Sequence, residues 1–214
     1  MNATAALLQQ ALTQLPGHAD ELRDLDAHLG DGDLGITVSS GADAARAAVA
    51  GLPDDATPAA LIRAAGAAFG RANPSTFAAL VHGAANAAAA ALGDAPELGR
   101  AEAELVLTEA IASIAKRGRS ARGDKTVLDA LSASLDALRS APSDPASALA
   151  RMIEAARADT ERLAANQSQK GRAAWIRERS VGHPDAGSIA YIRFLQALHH
   201  AVPAGAAETE RRPS

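Results

Sequence analysis

The sequence predicts an all-α protein, and three observations carry that prediction. Alanine dominates a hydrophobic fraction of 48%, and alanine is the best helix former. The β-branched and aromatic runs that mark strands are nearly absent, with aromatic residues at only 2%. Leucines recur at helical spacing, most clearly Leu128, Leu131, Leu135 and Leu138.

The elements follow in chain order. A first helix covers residues 3–15 and stops before Pro16-Gly17. A second, 19–29, aligns Leu22, Leu25 and Leu29 on one face. A loop rich in Asp and Gly leads to a third, 36–50, closed by the turn Pro53-Asp54-Asp55. Thr57-Pro58 reads as an N-cap followed by a first-turn proline, opening a fourth helix to residue 69. Asn73-Pro74-Ser75 breaks the chain and starts a fifth, which ends at Gly93-Asp94-Ala95-Pro96. A sixth spans 100–116 with Leu105, Ile111 and Ile114. The basic loop 118–123 precedes a seventh, capped by Asp124 and running to residue 139. Ser143-Asp144-Pro145 opens an eighth, to residue 165. Residues 166–185 form a long polar segment, and a ninth helix covers 186–202. Residues 203–214 read as a disordered tail, so one helical domain over 1–202 is expected.

Composition narrows the function. At 214 residues the chain can bury one sizeable core. A net charge of −4 and few aromatics leave neither a basic footprint nor stacking platforms for nucleic acid. The absence of cysteine excludes disulfides, thiolate zinc sites and a cysteine nucleophile. No apolar run approaches the roughly 20 residues of a membrane span. No basic-then-apolar leader follows Met1, so a cytoplasmic protein is expected.

The chemistry concentrates in loops. Asp26, Asp31 and Asp33 lie within eight residues, the last two laced with glycine. Carboxylates this close repel unless a cation lies between them. Oxygen-only ligation suits a hard ion such as Mg²⁺. The helix that follows at once can turn its N-terminus to phosphate. A calcium EF-hand is excluded, because a loop begun at Asp31 puts Ala42 where glutamate is required. The competing reading is a solvated capping loop.

Further along, Gly118 to Thr126 approximates a Walker A loop with an inserted aspartate, but no strand precedes it. Its other reading is a cap at Asp124 with Arg117, Arg119 and Arg122 in solvent. Arg172, Arg177 and Arg179 can bind phosphate or lie solvated, and a lone His183 is more often structural. The serines and histidines have no nucleophile-elbow spacing.

Together these pieces resemble one family. Leu25-Asp26, Asp31-Gly32-Asp33-x-Gly35, Gly123-Asp124-Lys125-Thr126, Gly171-Arg172-Ala173 and Glu178-Arg179-Ser180-Val181-Gly182-His183-x-Asp185-x-Gly187 occur in this order. The pattern, over about residues 7–198, is similar to the nucleotide-binding L subunit of dihydroxyacetone kinase and the equivalent domain of single-chain enzymes. The resemblance implies an antiparallel eight-helix barrel with a nucleotide at one end. It implies ADP or ATP with two Mg²⁺ ions on Asp26, Asp31 and Asp33. Phosphate would lie on the backbone of Leu34, Gly35, Ile36 and Thr37. Ser75 and Thr76 fall in a small-residue loop of the site, and Gly118 and Val127 on the adenine side. Lys125, Thr126 and Arg172 join the nucleotide-binding set. Asp185-Ala186-Gly187 falls on an Asp-Pro-Gly that closes the site. The chain departs from the family's pattern at Leu34, where histidine is common, at Asn73-Pro74-Ser75-Thr76, at Val127 and at Ala186.

The resemblance also implies an activity. Such a subunit donates a phosphoryl group to a small hydroxy-ketone or related substrate. That substrate is held through a histidine on a separate, DhaK-like substrate-binding subunit. The donor would be exchangeable ATP, or a phosphotransferase-system protein that rephosphorylates bound ADP, and a homodimer is compatible with this scheme. The alternative is a nucleotide-sensing regulatory module without phosphoryl transfer, an idea that Leu34 raises. A plain alanine-rich scaffold is disfavoured by the joint presence of the three aspartates, Lys125 and Arg172.

Overall fold

The computed structural model describes residues 2–171, 173 and 177–203. These residues form nine α-helices and no strand. The helices are α1 (Ala3–Gln14), α2 (Ala19–Leu29), α3 (Leu34–Ala50), α4 (Pro58–Ala72), α5 (Thr76–Leu92), α6 (Arg100–Gly118), α7 (Val127–Ser140), α8 (Pro145–Ala164) and α9 (Ala186–Ala201). Short 3₁₀ turns, Leu15–His18 and Arg177–Ser180, lie between α1 and α2 and ahead of α9. The expected tail lies outside the described residues from position 204 onward.

Most boundaries follow from local chemistry. Asn2, Thr57, Ser75, Asp144 and Asp185 each accept a backbone N–H from the first turn of the helix they open. Pro58 and Pro145 stand where a missing N–H costs nothing. Two expectations shift. Helix α3 begins at Leu34, two residues before the expected start. Helix α7 is capped by Thr126 rather than Asp124. The Asp124 carboxylate is already used, accepting the N–H of Ala121 at 2.8 Å inside the preceding turn. Thr126 has the extended backbone a cap needs, and Asp129 completes a capping box.

From α2 to α9 each helix packs on its chain neighbour, and α1 packs on both α3 and α9, so the contacts close into a circuit. The core has two main parts. One gathers Leu12, Leu15, Leu22, Leu34, Val38 and Phe69; the other gathers Leu107, Ile114, Leu128, Leu131, Leu135 and Met152. Helix α9 serves both, with Ala190 and Ala197 in the first and Ile192 and Leu195 in the second. Burial of each leucine is worth roughly 2 kcal/mol, so α9 binds the two halves into one frame. No helix among the described residues is long and apolar enough to cross a membrane.

Candidate metal and phosphate site

The three aspartates meet at the α2–α3 junction. Helix α2 ends at Leu29, and the N–H of Gly30 closes on the Asp26 carbonyl at 2.5 Å. Asp26, Asp31 and Asp33 each place a carboxylate oxygen within 4.8 Å of the others'. Asp31 is exposed and the other two are half-buried. Burial, and then the charge of Asp26, push the Asp33 carboxyl above the usual carboxylate range. A hard cation would relieve that repulsion, and an all-carboxylate donor set fits Mg²⁺. The capping-loop alternative is met only in part, since Asp33 stands at the N-cap of α3 without its side chain capping the helix and only Asp26 accepts a first-turn N–H, that of Leu34.

Helix α3 turns its first turn toward this cluster. The N–H of Leu34 reaches Asp26 Oδ2 at 3.3 Å, and that of Thr37 bonds the Asp33 carbonyl at 3.0 Å. The N–H groups of Gly35 and Ile36 belong to the orphan set that every helix start presents. The side chain of Leu34 lies in the core at 5% exposure, whereas Ile36 stands 61% exposed. The position where the family commonly has histidine therefore faces inward in this chain.

Three further helix N-termini join this end. Asn73 Nδ2 donates to Thr37 Oγ1 at 2.9 Å, and the Thr37 and Ser75 hydroxyls meet at 3.4 Å. Ser75 caps α5, and Thr76 is its exposed first residue. Gly187, in the first turn of α9, packs against Phe77 of α5 and Val127 of α7; a Cβ there would lie 3.4 and 3.5 Å from their atoms. The His28 ring at the end of α2 stacks on His183, with centroids 5.2 Å apart. The starts of α3 and α5 are thus joined beside the three carboxylates, and those of α7 and α9 pack against α5, an arrangement suited to a metal-bound polyphosphate.

The loop from Gly118, the last residue of α6, to Thr126 is braced from behind. Asp129, 1% exposed, accepts the N–H of Gly123 at 2.5 Å and of Thr126 at 2.9 Å. Sequence reasoning passed over Asp129, although the Thr126-x-x-Asp129 spacing of a capping box was there to find. Lys125 behaves differently from the expected nucleotide contact. It is 2% exposed, and its Nζ donates to the carbonyls of Ala164, Asn166 and Ser180 at 3.0, 2.8 and 2.6 Å. Its ammonium is spent on backbone.

Asp185 caps α9, accepting the Ser188 N–H at 2.7 Å and its hydroxyl at 2.8 Å. Burial pushes its carboxyl up to about 6 against those bonds. Ala186 is buried and Gly187 half-buried behind it. Arg172, expected to bind the nucleotide, lies outside the described residues, as does Trp175.

Comparison with known proteins gives the family and the fold. Residues 28–200 match the DAK2 domain family. The L-erythrulose 1-kinase of Mycolicibacterium smegmatis is 32% identical over 180 residues, covering 83% of this chain and 32% of that protein. The chain thus spans about a third of the length of that relative. The ADP-binding subunit DhaL of the PEP-dependent dihydroxyacetone kinase 1 of Listeria innocua is 29% identical over 183 residues, covering 83% of this chain and 84% of that subunit. The fold matches the crystal structure of the C. freundii dihydroxyacetone kinase in complex with AMP-PNP and Mg²⁺, with a TM-score of 0.75 at 24% identity. That match covers 94% of this chain and 34% of the other.

Proposed function

This chain belongs to the DAK2 domain family, and from that premise we propose that residues 1–202 act as the nucleotide-binding unit of a dihydroxyacetone-type kinase. One observation carries the reading: three carboxylates within 4.8 Å of one another stand beside converging helix N-termini. Carboxylates alone would repel ATP, and helix ends alone would not position its terminal phosphate. Together they suit ATP or ADP with Mg²⁺, and two ions on Asp26, Asp31 and Asp33 are the fuller form of the proposal. Magnesium, when bound, neutralises phosphate charge and helps orient the terminal phosphoryl group.

The chain's own residues do the rest. The N–H groups of Gly35 and Ile36 meet phosphate oxygens, aided by the ends of α5 and α9. Thr76 lies at the phosphate side, while Gly118, Thr126 and Val127 border the base. Asp185-Ala186-Gly187 packs α9 against α5 and α7 and so sets the width of the site. The acceptor is a hydroxyl of a small hydroxy-ketone presented by a separate, DhaK-like subunit. Its oxygen bonds to the γ-phosphorus and gives up its proton to a base on that subunit or to water, as the bond to the β-phosphate oxygen breaks, leaving ADP. Either free ATP or a phosphotransferase-system donor then restores the charged nucleotide. A cytoplasmic setting supplies both.

Calorimetry with ADP and ATP tests the binding half. Binding should require Mg²⁺ and disappear in Asp31→Ala; nucleotide-independent or magnesium-independent behaviour would refute it. Assay of the chain with a substrate-binding partner and short ketoses tests transfer. Tight binding with no turnover would instead identify a nucleotide sensor.

A further inference from the structure

We propose that Lys125 is a positioning residue for the nucleotide site, acting through backbone rather than on the ligand. The proposal rests on the nucleotide-binding reading above and assigns this lysine a job inside it. An ammonium has three N–H donors and no acceptor. Here all three are taken, by carbonyls 39, 41 and 55 residues further along the chain. With 2% exposure and no spare donor, the side chain has nothing to offer a phosphate.

What it gathers is informative. Ala164 is the last residue of α8, where carbonyls lack helical partners and the dipole favours a cation. Asn166 opens the polar segment 166–185 and Ser180 lies near its far end, and both are held to the same nitrogen. Neutral bonds close the same hub. Gly182 N–H joins Lys125 on the Ala164 carbonyl at 2.8 Å, Ser168 N–H reaches Ser180 Oγ at 2.9 Å, and Gln169 N–H reaches the Asp124 carbonyl at 3.0 Å. Lys125 itself has a φ of 62°, unusual for a residue with a side chain. That backbone turn sends the side chain inward while the next residue, Thr126, caps α7.

The consequence runs to the site at both ends. On one side the hub fixes Thr126 and Val127. On the other it fixes Ser180 and Gly182, just ahead of His183, which stacks on His28, and Asp185, which caps α9. Loss of the ammonium takes one donor from each of these three carbonyls, leaving the Ala164 carbonyl only its bond from Gly182, and removes the polar tie between the segments that lead into α7 and α9.

The test uses the full chain and MgADP. Hydrogen exchange on the unmutated protein should show the amides of Ser168, Gln169 and Gly182 gaining protection when MgADP binds. Lys125→Met, folded by circular dichroism in the cold, should bind MgADP roughly tenfold or more weaker, with that gain in protection lost. A purely structural lysine would lower the melting temperature while leaving both readouts unchanged, and that result overturns the proposal. Should Lys125→Met fail to fold, the exchange experiment on the unmutated protein decides alone. If the unmutated chain binds no MgADP, the nucleotide reading itself has failed and this assignment falls with it. Binding in the parent with equal binding in the folded variant refutes only the role of Lys125.

Discussion

Thr37 and Ser75 stand 38 residues apart in sequence, yet their hydroxyls meet at 3.4 Å and join the starts of α3 and α5. Thr37 is 1% exposed and also accepts the Asn73 amide. Thr37→Val keeps the shape but removes both links. The expected loss is about 1–2 kcal/mol, because a partly buried amide is left without its acceptor. Urea denaturation measures that loss. Calorimetry should show a parallel weakening for MgADP, since the two helix ends are no longer tied.

The aspartate cluster should be destabilising until a cation arrives. Asp33 has its carboxyl raised by burial and by Asp26, so its charged form is disfavoured in the fold. Asp33→Asn should therefore raise the melting temperature in EDTA. In Mg²⁺ the order should reverse, because the unmutated protein alone gains a well-bound ion. A variant that is less stable than its parent in EDTA would contradict the crowding argument.

Asp129 holds two loop amides, those of Gly123 and Thr126, and is almost wholly buried. Asp129→Ala leaves both donors without a partner and removes half of the α7 capping box. A cost of about 2–4 kcal/mol is expected from the unsatisfied groups and the lost cap. Asp129→Asn, which keeps an acceptor oxygen, should lose clearly less. Chemical denaturation of the two variants side by side checks the ordering.

Asp185 predicts a pH dependence. Its carboxyl is raised from 3.8 to about 6 in the fold, so between those values the folded state holds more protons than the unfolded one. Stability from this group therefore increases as pH falls from about 6 toward 4 and is absent above that window. The full effect is at most about 3 kcal/mol, from 1.36 kcal/mol per pKa unit. Asp185→Asn retains a good N-cap but does not titrate. The stability difference between variant and parent should be largest near neutral pH and shrink on acidification; a constant difference would exclude a raised carboxyl.

Much of this was legible in the sequence, because it rests on local rules. Helical periodicity and caps such as Thr57-Pro58 and Asp144-Pro145 mark the helices, and the spacing of Asp26, Asp31 and Asp33 marks the carboxylate cluster. What local rules miss depends on distant partners. Lys125 reads as a nucleotide contact until carbonyls from α8 and beyond are seen to surround it. Leu34 reads as a change beside the phosphates, but its side chain packs with Leu22 and Val38 in the core. Asp124 loses its expected cap role to Thr126 for a local reason, since its carboxylate is engaged by the amide of Ala121, three residues before it.

A close approach of α2 and α3 holds the aspartates in register. A Cβ at Gly35 would lie 2.1 Å from the Ala19 carbonyl oxygen and 3.0 Å from the Arg23 nitrogen, both backbone atoms of α2. Helix propensity alone says that Gly35→Ala should stabilise α3 by roughly 1 kcal/mol. The contact says the opposite, because no side chain can swing aside and the two helices must separate. Overpacking of this kind costs about 1–3 kcal/mol. Asp26 rides on α2 and Asp33 sits at the start of α3, so the same separation should widen the carboxylate cluster. Gly35→Ala is thus expected to lower the urea midpoint and also to weaken Mg²⁺-dependent ADP binding. A stabilised variant with unchanged binding would mean that the close approach of these helices does not set the metal site.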